Sequence, residues 1–226
     1  MIPLILVLAL ILGAFAGCGN AADSHSDDTT PETQAAPIGA NSEKTLGTVE
    51  NGVYTNKYTG FSVALDEKWT VSDARKLQTL PEDVTELFTD SAILDDMKKY
   101  PTVMDLNAEN NESYCSINVL YQKMDMATQL SCAAITEKEY VEALLSQEDL
   151  LESTYADAGF SDVFEEVVQV EFAGHTRTAL RFSCLLENGM PYFFVQLFYH
   201  QLGTYSVTVT LGSFINDYTG DLLKMF

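Results

Sequence analysis

Positive charge is scarce in this chain and missing from its beginning. There are 12 Lys and Arg against 33 Asp and Glu, and no basic residue precedes Lys44. A net charge of −21 argues against nucleic acid as a partner and against electrostatic docking on anionic lipid, since both need clustered cations. The 3 histidines and 4 cysteines leave little material for metal or nucleophile chemistry. Cys18, Cys115, Cys132 and Cys184 match no zinc spacing, and the fold is not a disulfide framework. There is no Gly-x-Ser-x-Gly, no cofactor fingerprint and no internal repeat. No apolar run reaches the roughly 20 residues that a membrane-spanning helix needs.

What is present comes first at the amino terminus. Leu4 to Leu12 is an unbroken apolar run, followed by Gly13, Ala14, Phe15, Ala16, Gly17 and Cys18. A short apolar core with small residues before a cleavage point reads as an export signal, which assigns residues 1–17. Such signals open on positive charge, so the lack of Lys and Arg leads to the expectation that the start lies upstream or that the first residues are lost. Phe15-Ala16-Gly17-Cys18 resembles a bacterial lipobox, whose usual form is Leu-Ala-Gly-Cys or Leu-Ser-Gly-Cys; Phe15 stands where leucine is usual. The resemblance implies that Cys18 is lipidated and becomes the mature N-terminus. Two or three acyl chains would anchor it stably, where one is marginal. The expected location is the extracytoplasmic face of the cell membrane.

Residues 18–47 read as the lipidated cysteine and a disordered acidic linker. The segment is rich in Asp, Ser, Thr, Ala and Pro and lacks any apolar period. His25 falls here as a solvated linker residue. Residues 48–226 read as a single globular domain. Phe61 to Leu65 alternates with period two, a half-buried strand. Residues 81–99 read as a helix with Pro81 in its first turn. Residues 102–108 and 114–122 read as a hairpin, with Cys115, Ile117, Val119 and Tyr121 on one side and Ser116, Asn118 and Gln122 on the other. Residues 136–155 read as the clearest helix, opened by a capping box of Thr136 and Glu139. Strands follow over 163–172, 178–186, 191–202 and 205–211, then a helix over 216–226. The strand from Pro191 is apolar on both sides and so needs cover on both sides. These patterns predict an α+β fold: an antiparallel meander with helices on both faces, a three-layer α/β/α sandwich.

The stretch Tyr54-Thr-Asn-Lys-Tyr-Thr-Gly-Phe-Ser-Val-Ala-Leu-Asp-Glu-Lys-Trp69 resembles the opening hairpin of PsbP-like lipoproteins of Gram-positive anaerobes. Their pattern is Tyr-x-Asn, Gly-Phe, an alternating strand and Pro-Glu-x-Trp; Asp66 stands here where proline is usual. The resemblance implies an antiparallel sheet between helical layers and no common enzymatic site. A photosynthetic role does not carry over.

The chemically capable residues have plain structural readings. His175, after Ala173-Gly174, reads as a solvated turn residue. His200 reads as a core-edge histidine. Cys132 lies in a polar segment without a motif around it, Cys115 and Cys184 read as buried small hydrophobes, and a single disulfide among the three is left open. Glu109, Glu112 and Asp105 offer clustered oxygens without the order of a calcium loop, and read as a solvated hairpin loop. Asn111-Glu112-Ser113 is a glycosylation sequon by letter only. Tyr192, Phe193, Phe194, Phe198, Tyr199 and Tyr205 either line a groove or, more commonly at strand spacing, form core. No catalytic residue, cofactor or metal ligand is assigned, and the chain is not expected to be an enzyme. The functional expectation is a membrane-anchored binding or scaffolding module at the cell surface. Its partners would be the membrane, through Cys18, and an unknown protein or cell-wall material, with no nucleic acid. The alternative is a small-ligand or metal-ion carrier, or a hydrolase with an unrecognised site.

Overall fold

The computed structural model describes residues 46–72, 102–124, 126–146, 155–156, 159–200 and 205–226. The signal, Cys18, His25, the linker up to residue 45 and the helix expected over 81–99 lie outside the described residues. Ten strands build two sheets: β1 Thr48–Glu50, β2 Val53–Asn56, β3 Phe61–Ala64, β4 Trp69–Ser72, β5 Thr102–Asn110, β6 Cys115–Lys123, β7 Phe160–Phe172, β8 His175–Leu186, β9 Pro191–Tyr199 and β10 Tyr205–Phe214. Three helices lie wholly among the described residues: α1 Met126–Ala133, α2 Glu137–Leu145 and α3 Thr219–Leu223.

The large sheet runs β4-β5-β6-β10-β9-β8-β7, antiparallel throughout. Two meanders, β4 to β6 and β7 to β10, meet where β10 pairs with β6. β9 and β10 are therefore interior strands, and β9 is almost wholly buried, as its two apolar sides require. One face of this sheet carries Leu106, Ile117, Val119, Leu197, Val207 and Val209, all buried. Against it lies the small sheet β1-β2-β3, whose Tyr54, Phe61, Val63 and Leu65 point inward. Phe61 anchors the contact by meeting Phe172, Tyr199 and Phe226 at ring-centroid distances of 5.5, 6.0 and 5.6 Å. Each such buried aromatic contributes about 1.5–3 kcal/mol by transfer from water. The opposite face carries two apolar patches. One joins Met104, Leu120, Leu180 and Phe198 to Val141 and Leu144 of α2, and the other gathers Tyr155, Phe160, Phe182, Cys184, Tyr192 and Phe194.

The expected three-layer α/β/α sandwich is not what forms. The described chain is mostly strand in two sheets, and the second sheet, together with the five-residue α3, lies where a helical layer was expected. The reason is physical. Residues 53–64 alternate buried and exposed, and that alternation is the same whether a hairpin extends a sheet or lies flat across it. Bulky inward Tyr54 and Phe61 suit the second arrangement. α2 spans Glu137–Leu145, residues 147–154 of the helix expected over 136–155 lie outside the described residues, and the last helix spans Thr219–Leu223 rather than 216–226. The Thr136–Glu139 capping box is present, with the Thr136 N–H donating to Glu139 Oε2 at 2.7 Å and the Glu139 N–H donating to Thr136 Oγ1 at 3.2 Å.

A β-bulge fixes one further junction. Register shifts between Met104 and Leu106, so Asp105 turns toward the small sheet. Its carboxylate accepts from the Tyr54 hydroxyl at 2.6 Å, the Asn56 amide at 3.1 Å and the Gly47 N–H at 2.9 Å. Asn56 also donates to the Tyr121 hydroxyl at 2.8 Å, which closes the network against the large sheet. Burial, reinforced by the Asp105 charge, pushes the Tyr54 and Tyr121 hydroxyls far above the usual tyrosine range, so both remain protonated. Gly47 has no room for a side chain, because a Cβ there would run into the Tyr54 ring.

Candidate binding site

The polar residues of β5, β6, β9 and β10 form a row across the centre of the large sheet. Asn107 opposes Asn118, Asn118 opposes Thr210, and Thr210 opposes Gln196, so four strands each place one side chain in line on the same face. All four are buried, with relative exposures of 1%, 7%, 5% and 4% in that order. Gln196 donates from Nε2 to Thr210 Oγ1 at 3.2 Å. The side-chain carbonyl oxygens of Asn107 and Asn118 have no hydrogen-bond partner among the described residues.

Apolar neighbours frame the row. On one side Thr208 sits between Leu120 and Phe198, which belong to the patch under α2. On the other side Ser116, Gly212 and Phe194 are consecutive partners. The Tyr192 hydroxyl meets Ser116 over Gly212, where a Cβ would lie 2.8 Å from Tyr192 Oη and 2.9 Å from Ser116 Oγ. Gly212 is thus required by close packing. A buried carbonyl left unpaired costs about 1–3 kcal/mol. Two of them facing each other are therefore an expensive feature of the sheet centre. The row contains no titratable side chain, so it offers recognition rather than acid–base chemistry. Carboxamides and hydroxyls both donate and accept, which suits an uncharged ligand rich in N–H or O–H groups.

The residues singled out from sequence fall elsewhere. His200 is buried, its Nε2 lies 3.2 Å from the Ile135 carbonyl oxygen, and its ring stacks on Tyr140 at 4.5 Å and 6°. Burial holds its pKa below the usual histidine value, against the opposing hydrogen bond to Ile135 and with help from Arg177. It clamps the turn between α1 and α2 onto the sheet. Beside it, Arg177 pairs with Glu137, donates to the Phe198 carbonyl at 3.1 Å and lies 4.1 Å from the Tyr199 ring centroid. The Thr178 N–H donates to the same Glu137 carboxylate at 2.9 Å, so α2 is fastened to β8 and β9 through one acid.

His175 is exposed at the β7–β8 turn, where Ala173 and Gly174 take φ of 51° and 78°. Cys115, Cys132 and Cys184 are buried; Cys115 and Cys184 lie in clusters on opposite faces of the large sheet. Burial pushes the Cys184 thiol up to about 12. Asp105, Glu109 and Glu112 do not converge: Asp105 serves the small sheet, Glu109 opposes Ser116 on the other face, and Glu112 pairs with Lys68 at 3.1 Å. Among the described residues no three His, Cys, Asp or Glu form a metal-holding group. The aromatic set divides between the faces, with Tyr192, Phe194 and Phe198 on one and Phe193, Tyr199 and Tyr205 on the other, so it does not line one groove.

The polar row itself escapes a sequence reading because Ser116, Asn118, Thr208 and Thr210 alternate as water-facing residues do. The one signal is Gln196, set between Phe194 and Phe198 in a strand otherwise apolar on both sides. No protein-family model matches the chain, and no curated protein matches it either. No helix among the described residues is long and apolar enough to cross a membrane.

Proposed function

We propose that this chain is a binding module, tethered by lipid at Cys18 to the extracytoplasmic face of the membrane, which takes an uncharged ligand on the Asn107–Asn118–Thr210–Gln196 row. The observation that supports it is the pair of unpartnered carboxamide oxygens on Asn107 and Asn118. A ligand presenting two N–H or O–H donors would recover the hydrogen bonds that the fold leaves unmade. The absence of charge in the row favours a neutral ligand over an ionic one. Neutral saccharides and primary amides both meet this description, and the first would suit a module placed beside wall polymers.

The reading is tested by thermal-shift titration of the protein with a panel of neutral mono- and disaccharides and primary amides, beside citrate and spermidine as charged controls. A concentration-dependent rise in Tm is expected with a neutral member and is expected to vanish in Asn118→Leu. A response confined to the charged controls, or one retained in Asn118→Leu, would remove the row from the proposal. The tether is tested separately with a palmitate analogue: wild type should label and Cys18→Ala should not.

A further inference from the structure

The end of the large sheet farthest from the linker carries a second feature, independent of the polar row. The turns at 66–68, 111–114, 187–190 and 215–218 meet there, because Trp69 opposes Asn110, Cys115 opposes Ser213, and Tyr192 opposes Phe214. Three large apolar side chains stand out from these turns: Tyr114, Ile215 and Tyr218, with exposures of 55%, 46% and 38%. Two of them sit on backbone that such residues rarely adopt, with φ of 56° at Tyr114 and 71° at Ile215. A β-branched residue is the least suited of all to that region. Around Ile215 the Asn216 N–H donates to the Phe214 carbonyl at 2.8 Å, which closes a γ-turn of the strained, positive-φ form. Neighbouring bonds hold the strain in place: the Phe214 N–H donates to the Tyr114 carbonyl at 3.0 Å and the Ile215 N–H to the Pro191 carbonyl at 2.9 Å. Strain kept on an exposed apolar residue marks a functional surface rather than a packing need.

The rim of this end is acidic. Asp66, Glu67, Glu112, Glu187, Asp217 and Asp221 are exposed there, while the neighbouring lysines Lys68 and Lys224 are already paired with Glu112 and Asp221 at 3.1 and 2.8 Å. The linker enters at the opposite end, where Gly47 binds Asp105 beside Tyr121. Tyr121 in β6 and Tyr114 just before it stand seven positions apart, a span of roughly 23 Å at the usual rise per residue.

We propose that Tyr114, Ile215 and Tyr218 are the contact tip for a protein partner whose binding surface is apolar at its centre and basic at its rim. An anionic membrane is disfavoured by the acidic rim. A second copy is disfavoured because two acidic rims would face each other. Fixed turns present the apolar residues without an ordering cost at association.

The test uses the full chain in its own membranes, with p-benzoylphenylalanine replacing Tyr114 as the photo-crosslinking probe and, as control, replacing His175 at the far end. The expected result is one discrete adduct with a basic protein, seen from position 114 and not from 175. It should fall at least about tenfold in Ile215→Gly, as the loss of a central apolar anchor does elsewhere, and should weaken at high salt. Ile215→Gly relaxes the positive-φ backbone, so unfolding does not account for a lost adduct. Adducts with lipid, adducts at the mass of two copies of this chain, an adduct unmoved by Ile215→Gly or by salt, or no adduct would each overturn the proposal.

Discussion

Asn107 and Asn118 face each other across β5 and β6, both buried, and neither side-chain carbonyl accepts a hydrogen bond from any described residue. The same two strands satisfy their other polar groups closely. On the reverse face, Asp105 accepts from the Gly47 N–H, the Tyr54 hydroxyl and the Asn56 amide, and Asn56 also donates to the Tyr121 hydroxyl. Among the described residues, then, polar groups are paired where they fasten one sheet to the other, and two acceptors in the middle of the opposite face have no partner.

The Asp105 network should govern stability. Tyr54→Phe keeps the packing and removes the hydroxyl that donates to Asp105 at 2.6 Å. A hydrogen bond to a charged group contributes about 1.5–3 kcal/mol, and urea unfolding should show a loss of that size. Gly47→Ala should also destabilise, because the new Cβ meets the Tyr54 ring. Two variants as stable as wild type would dismiss this junction as incidental.

His200 should make stability depend on pH. Its folded pKa is lowered, chiefly by burial, so the native state holds it neutral. As pH falls through the ordinary histidine value of about 6.5, the unfolded chain takes up a proton first. The contribution is thus present above about 6.5 and declines below it, until pH passes the folded value. Wild type should lose more stability between pH 7.5 and 5.5 than His200→Phe, which keeps a ring against Tyr140. Equal losses would contradict the assignment.

Arg177 fastens α2 through Glu137, the Phe198 carbonyl and the Tyr199 ring. Arg177→Ala strands the half-buried Glu137 carboxylate, and a cost near 3 kcal/mol is expected, at the low end of what breaking a buried pair costs. Arg177→Lys should recover only part of it, since lysine keeps the charge and loses the planar fork. Full recovery by lysine would show that charge alone matters here.

Much of this architecture was legible. The strands of the β7–β10 meander, the capping box at Thr136 and the two-sided burial of β9 follow from alternation, from Thr136-x-x-Glu139 and from the apolar run at Pro191. The second sheet was not legible, because one-sided alternation in residues 53–64 carries no information about which partner the strands choose. The polar row was hidden for a related reason. Ser116, Asn118, Thr208 and Thr210 would read alike on a wet face and on a buried one, and only Gln196 between two phenylalanines breaks the pattern.

The most direct measurement is the unfolding free energy of Asn107→Leu/Asn118→Leu, set beside its response to a neutral ligand that raises the Tm of wild type. Leucine matches asparagine in shape and removes both unpaired carbonyls. The variant should be more stable than wild type, by about 1–3 kcal/mol for each site relieved, and should no longer respond to the ligand. A variant less stable than wild type, or one that still responds, would contradict the claim that these two unpaired carboxamide oxygens are the ligand's acceptors.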